Sequence, residues 1–269
     1  YSSAASDVYK RQKKDRIVLF LERPHIESTV WVNGHKVGMQ NSLCVAHVYD
    51  VTQFMSPGKC KIAIRIDNRI KDINVGPDSH SITDQTQGNW NGIVGRICLQ
   101  TTPKIYLEDI QVYPEPEQKV ARVKLLIKSS DKGIAIAQVK LSARSFNTEQ
   151  CHVLPTVTHD VKVMNGIAEQ EIVLPMGDDM LLWDEFNPAL YKLTAEISTG
   201  KGKEKEVKEI QFGMRRFEIK GKWFYVNGRK TMLRGTVENC DFPLTGYAPM
   251  DVESWERVFR ICRSYGLNH

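Results

Sequence analysis

The chain has 269 residues, 41% hydrophobic and 26% charged, with a formal net charge of +5 at pH 7. Those fractions are ordinary for a globular chain, so the disordered and membrane classes both lose ground, and no apolar run approaches the length of a transmembrane helix. The charge is dispersed: its densest cluster, KGKEKEVKE at Lys201 to Glu209, sets each lysine near a glutamate and reads as a solvated hairpin tip rather than a nucleic-acid stripe.

At about 100 to 200 residues per domain, the length allows two domains, or three if they are short-stranded β modules. Ser2 to Gln12, SSAASDVYKRQ, resembles the translation of a transposase sequencing adapter, so residues 1–12 are set aside as non-native. The native start, with any leader peptide, is then expected to lie outside this sequence. Cys44, Cys60, Cys98, Cys151, Cys240 and Cys262 stand far apart with no CxxC pair, which argues against metal and redox motifs and for buried free thiols.

From Arg16 to Thr102 the pattern is strand, turn, strand. STVWVNGHKV (Ser28 to Val37) places Asn33-Gly34 between two β-rich runs, the strongest short hairpin signal, because a type I′ turn needs positive φ at both central positions. CKIAIRID sets Cys60, Ile62, Ile64 and Ile66 on one face of a half-buried strand. From Lys104 to Gly213, IYLEDIQVYPE, VARVKLLIKS, IAIAQVKLSA, EQEIVLP, LYKLTAEIS and KEVKEIQFG predict strands spaced as in an immunoglobulin-like β-sandwich, without the paired cysteines of antibody domains.

Beyond Met214, Gly221-Lys222 and Asn227-Gly228 are turn signals around short strands. Asp251 to Tyr265 then switches to a helical period, with Val252, Trp255, Phe259 and Cys262 on one stripe that Val258, Ile261 and Tyr265 broaden. Asp251 suits the N-cap, Glu253 the first turn and Gly266 the C′ position. LNH would open another strand. Strand, loop, helix, strand is the order of a β/α unit, which cannot close a core alone.

Four stretches together resemble glycoside hydrolase family 2, the family of β-galactosidases, β-glucuronidases and β-mannosidases. They are WVNG (Trp31 to Gly34), NWNGIVGRI (Asn89 to Ile97), LLWDEFNPALYKL (Leu181 to Leu193) and FGMRRFEIKGKWFYVNGRKTMLRG (Phe212 to Gly235), in the family's order. The resemblance covers essentially everything after Gln12. It implies a mainly β chain: a sugar-binding jelly roll over 13–103, an immunoglobulin-like sandwich over 104–213, and the truncated start of a catalytic (β/α)8 (TIM) barrel over 214–269.

Within that resemblance, Asp84, Gln87, Asn89 and Trp90 fall in a loop of the first domain that reaches over the barrel mouth and contacts substrate. Amides and carboxylates there supply the donors and acceptors that neighbouring sugar hydroxyls need, and an indole face packs on sugar C–H groups. The plainer alternative has Asp84 and Asn89 closing loop turns on their own backbone, with Trp90 plugging the interface between the first two domains. Glu238 and Asn239 follow the first barrel strand, MLRGTVE, where such barrels build active sites from loops at strand ends. Many β-galactosidases carry a histidine-rich stretch at this point. This chain has Asn239 and Asp241 instead, and Asp241 reads as a turn residue ahead of Phe242-Pro243. Arg234 matches a barrel arginine at the end of a buried strand and needs a carboxylate partner, expected from the later barrel. His80 and His269 are isolated and stay unassigned.

The family are retaining glycosidases, in which one glutamate protonates the glycosidic oxygen and a second, about 5 to 5.5 Å away, attacks the anomeric carbon. Both are expected on later barrel strands, so no catalytic residue is assigned here and the chain by itself is expected to be inactive. The reading is the N-terminal part of a β-galactosidase-like glycosidase hydrolysing O-glycosyl bonds, with a β-linked glycoside as partner. It calls for no cofactor, metal, nucleic acid or membrane. The resemblance also implies a periplasmic or secreted setting and a homo-oligomeric intact enzyme. The rival is a non-catalytic carbohydrate-binding or structural β-sandwich protein, which would have no use for Arg234 to His269.

Overall fold

The computed structural model describes residues 16–43, 45–69, 71, 92–199, 204–238, 242, 244–246, 248–249 and 251–269. Strand β1 (Arg16–His25) lies between β4 (His47–Asp50) and β6 (Gly92–Thr102), while β2 (Glu27–Val32) lies between β3 (His35–Asn41) and β5 (Ile62–Asp67). The two antiparallel sheets share one core, since Ile17, Leu19 and Leu21 of β1 meet Val30 and Val32 of β2 and Tyr49 of β4. Cys60, Ile62 and Ile64 are half-buried against that core, as their alternation predicts.

The β2–β3 turn is the predicted one, with Asn33 at φ 50° and Gly34 at φ 85°. Asn33 does more than tolerate the turn. Its side chain donates to the Phe54 carbonyl at 3.1 Å and accepts from the Lys61 N–H at 2.9 Å, fastening the hairpin tip to the start of β5.

A buried polar chain crosses this core. Ser28 and His47 are fully buried. His47 Nε2 faces the Ser42 carbonyl at 3.0 Å and so donates, which leaves Nδ1 to accept from Ser28 Oγ at 2.6 Å. Tyr49 donates to the Ser28 carbonyl at 2.8 Å. Burial holds the imidazole's pKa below its ordinary value, partly offset by the Ser42 carbonyl. The unfolded chain therefore takes up a proton on His47 before the folded one does. Stability is fully present above about pH 6.5 and is lost as the pH falls below it, by at most about 1.4 kcal/mol per pH unit. Urea melts at pH 7.0 and 5.5 should show this loss, and His47→Gln, which keeps a donor and an acceptor but cannot titrate, should shrink it. An equal loss in the variant would show that His47 is not its source.

Seven further strands form two more sheets. Strands β7 (Ile105–Glu115), β8 (Val120–Ser129) and β11 (Ile167–Pro175) pair in the order β11-β8-β7, and β9 (Ala135–Phe146), β10 (Val157–Val163), β12 (Leu190–Thr199) and β13 (Glu204–Phe212) in the order β10-β9-β12-β13. Their alternating inward residues, among them Val123, Leu125, Val139, Leu141, Ile172, Leu193 and Ile197, make one core between the sheets. Six of the seven strands match the predicted runs; β10 is the addition. Its sequence VTHDVKV buries only Val161 and Val163, because His159, opposite Val139, and its neighbours Thr158 and Asp160 are exposed. Two buried residues are too short a periodic signal to read. Edge strands β7 and β13 are tied by side chains: Glu206 accepts from the Leu107 N–H at 2.7 Å, and Lys208 donates to the Leu107 carbonyl beside a bulge.

Strands β14 (Phe217–Lys220), β15 (Trp223–Val226) and β16 (Arg229–Thr231) form a small meander whose turns are the predicted Gly221 and Asn227-Gly228, all at positive φ. Helix α1 (Val252–Ser264) is capped as expected: Asp251 Oδ1 accepts from the Ser254 N–H at 2.7 Å. At its end Gly266, φ 79°, and Leu267 donate back to Arg263 and Cys262, the Schellman pattern. Along the stripe, Trp255 and Cys262 are half-buried, while Val258 and Phe259 are exposed.

Three expectations need correction. Residues 232–238 and 267–269 are not strands: their mutual backbone contacts centre on Arg234, which accepts from the N–H groups of Asn268 and His269, and that is too little for a ladder. Arg234 is accordingly half-exposed rather than set in a buried strand. The described cysteines are free, as expected, but not buried: Cys60, Cys98 and Cys262 are partly exposed and Cys151 is exposed.

Candidate functional site

Of the sequence-predicted contact residues, Asp84, Gln87, Asn89, Trp90 and Asn239, together with Asp241, lie outside the described residues, while Glu238 is exposed. What the structure does define is how the chain is held on either side of the segment 72–91. Glu27 and Asp67 stand opposite each other on β2 and β5. Asp67 accepts from Arg69 Nε at 2.9 Å and Nη2 at 2.6 Å, and lies 2.6 Å from Lys71 Nζ. Glu27 receives Arg65 at 2.9 Å and the same Lys71 at 3.3 Å, so one ammonium bridges both carboxylates. Arg69 first and Lys71 second hold the Asp67 carboxyl far below the usual range. The returning strand begins at Gly92, in register with His25, two residues before Glu27. Lys71 and Gly92 are thus both held beside His25 to Glu27.

A second polar cluster lies where the loop 181–190 meets residues 214–234. Asp184 accepts from the N–H groups of Phe186 and Asn187 at 2.7 and 2.8 Å, an Asx turn that folds the loop and leaves Glu185 at its apex. Glu185 pairs with Arg234 at 3.2 Å and Arg229 at 3.5 Å, and accepts from the Asn268 amide. Asn268 also donates to the Met232 carbonyl at 3.0 Å and accepts from the Arg234 N–H at 2.8 Å. Arg234 adds a hydrogen bond to the Gly266 carbonyl at 2.7 Å. Within this chain the carboxylate partner of Arg234 is Glu185; the partner expected from a later barrel strand lies outside the described residues. Two guanidiniums and an amide thus converge on Glu185, which ties the loop 181–190 to Arg229, Arg234 and Asn268.

The same loop explains why two of the sequence stretches occur together. The Trp183 backbone N–H donates to the Met214 carbonyl at 2.9 Å, the Asn227 side chain donates to the Trp183 carbonyl at 2.9 Å, and Arg215 stacks on the indole at 4.6 Å. A Cβ on Gly213 would lie 3.0 Å from Trp183 Cβ, so any larger residue would push the indole outward by a few tenths of an ångström. Sequence reading missed Glu185, Asn268, Glu27 and Asp67 as organising residues. The available signal for Glu185 was an acidic residue inside the Trp/Asn-Pro stretch, next to the Asx-turn aspartate. Among the described residues, no group of three or more His, Cys, Asp or Glu side chains could hold a metal ion.

Residues 105–215 match the family model "Glycosyl hydrolases family 2". The putative β-glucuronidase of Formosa agariphila is 29% identical over 253 residues, covering 93% of this chain and 29% of that protein. The β-galactosidase of Oenococcus oeni is 25% identical over 225 residues, covering 81% of this chain and 21% of its own length. The crystal structure of Bacteroides uniformis β-glucuronidase superposes with a TM-score of 0.72 at 19% identity, covering 95% of this chain and 31% of that one, a likeness of fold. The chain thus spans less than a third of each of these proteins.

Proposed function

We propose that this chain, which is related to the glycosyl hydrolases of family 2, forms part of a retaining β-glycosidase acting on β-linked glycosides. The observation that carries the reading is continuity. The likeness does not stop at the sandwich of β7–β13 but extends over 93% of the chain in one relative, a share large enough to run through β14–β16. A sandwich that only bound sugar would not need α1, whose stripe leaves Val258 and Phe259 exposed.

On this reading residues 13–103 are a sugar-binding jelly roll, 104–213 a spacer sandwich and 214–269 the first β/α unit of a catalytic barrel. Asp84, Gln87, Asn89, Trp90, Glu238 and Asn239 contact the sugar nearest the bond cleaved. The acid and the nucleophile are two glutamates on other barrel strands. The specificity is β-galactosidase-like, although relatives named for β-galactosidase and for β-glucuronidase both occur.

The test compares the full-length enzyme with this chain alone on nitrophenyl β-galactoside and nitrophenyl β-glucuronide. The expected result is hydrolysis with retained anomeric configuration by the full-length enzyme, fastest on the galactoside, and no turnover by the chain alone. Faster glucuronide cleavage would overturn the specificity, and turnover by the chain alone would overturn the placement of both catalytic groups elsewhere.

A further inference from the structure

We propose that Glu185 is a positioning residue of this glycosidase: a carboxylate carried by the sandwich that sets where the segment Met232 to Glu238 lies. The inference rests on the glycosidase reading, because Glu238 at the end of that segment is one of its substrate contacts.

The geometry has three parts. Glu185 sits at the apex of a loop whose shape is set within the sandwich, by the Asp184 turn and by Asn147, which donates to the Pro188 carbonyl at 2.9 Å. Its side chain is only 19% exposed, so the charge is largely removed from water and strongly prefers its partners. Those partners belong to the other side: Arg229 closes the meander, Arg234 lies four residues before Glu238, and Asn268 returns from α1. Asn268 is the centre of the arrangement, since it binds Glu185, the Met232 carbonyl and the Arg234 N–H at once. One carboxylate thus fixes two chain segments, 232–234 and 266–268, relative to each other and to the sandwich. For a barrel enzyme this sets the position of a substrate contact from outside the barrel, and displacement of such a contact by about 1 Å can cost on the order of a hundredfold in rate.

Two measurements test this. In this chain, Glu185→Ala should raise amide hydrogen exchange at Arg234 and Asn268 about tenfold, the loss of one charge-assisted hydrogen bond, and leave the β9–β12 amides unchanged. In the full-length enzyme the same substitution should lower kcat by roughly ten- to a hundredfold with KM and the melting temperature little altered. Glu185→Gln, which keeps an acceptor oxygen, should recover part of both effects and serves if the alanine variant does not fold. Unchanged exchange at Arg234 and Asn268, or a kcat that falls only as far as the melting temperature predicts, would overturn the proposal. If the wild-type enzyme cleaves no β-glycoside, the glycosidase reading has failed instead, and the exchange result then reports on the anchor alone.

Discussion

Replacing Tyr191 by Phe is expected to destabilise the sandwich of β7–β13 by about 1 to 3 kcal/mol, and replacing it by Ala by about 3 to 5 kcal/mol. The ring is fully buried and stacks on Phe212 at a centroid distance of 5.5 Å. Its hydroxyl accepts the Leu181 N–H at 2.9 Å and shares a hydrogen bond with His152 Nδ1 at 2.6 Å. Phe keeps the packing but strands a backbone N–H and a ring nitrogen, whereas Ala also opens a cavity. Because Leu181 begins the loop that carries Trp183 and Glu185, the phenylalanine variant should also raise hydrogen exchange at Leu181 more than at Val139 or Leu141. Urea unfolding of the two variants against the wild type measures both costs. A Phe variant within about 0.5 kcal/mol of wild type would show that this hydroxyl carries no net stabilisation.

Gly95→Ala is expected to cost about 2 kcal/mol or more, from two separable causes. Gly95 holds φ 93°, which an L side chain adopts only under strain, and a Cβ there would lie 2.7 Å from the Glu22 carboxylate. That carboxylate cannot easily move, because it accepts from the Arg96 N–H at 2.8 Å and its Nε at 3.0 Å, bonds that also lower its pKa. The site coincides with the register shift between β1 and β6, so Gly95 makes the bulge that brings Gly92 into line with His25. Adding Glu22→Ala to the glycine variant should recover the crowding component and leave the backbone component. Thermal unfolding of the four proteins in that cycle checks the division, and strictly additive effects would refute the clash.

The reading of the chain was strongest where a few neighbouring residues decide the outcome. Asn33-Gly34 and Asn227-Gly228 specify tight turns because few other residues accept positive φ, and Asp251 and Gly266 specify the ends of α1 because they satisfy its first donors and last acceptors. The alternation of β8 and β12 likewise needs only one buried face. The sequence by itself thus determined the order and kind of most elements and, through four spaced stretches, a resemblance to glycoside hydrolase family 2, whose model matches residues 105–215.

Only the tertiary structure decided what joins residues far apart in the chain. Glu185 meets Arg234 across 49 positions, Ser28 meets His47 across 19, and Leu107 meets Glu206 across 99. No local periodicity encodes such pairs. Arg234 could be read as needing a carboxylate, because a partly buried guanidinium requires one, but which carboxylate depends on how the loop 181–190 folds against residues 214–234. The cysteines show the same limit. Residue type favours burial, yet Cys151 is exposed because it falls in the loop between β9 and β10.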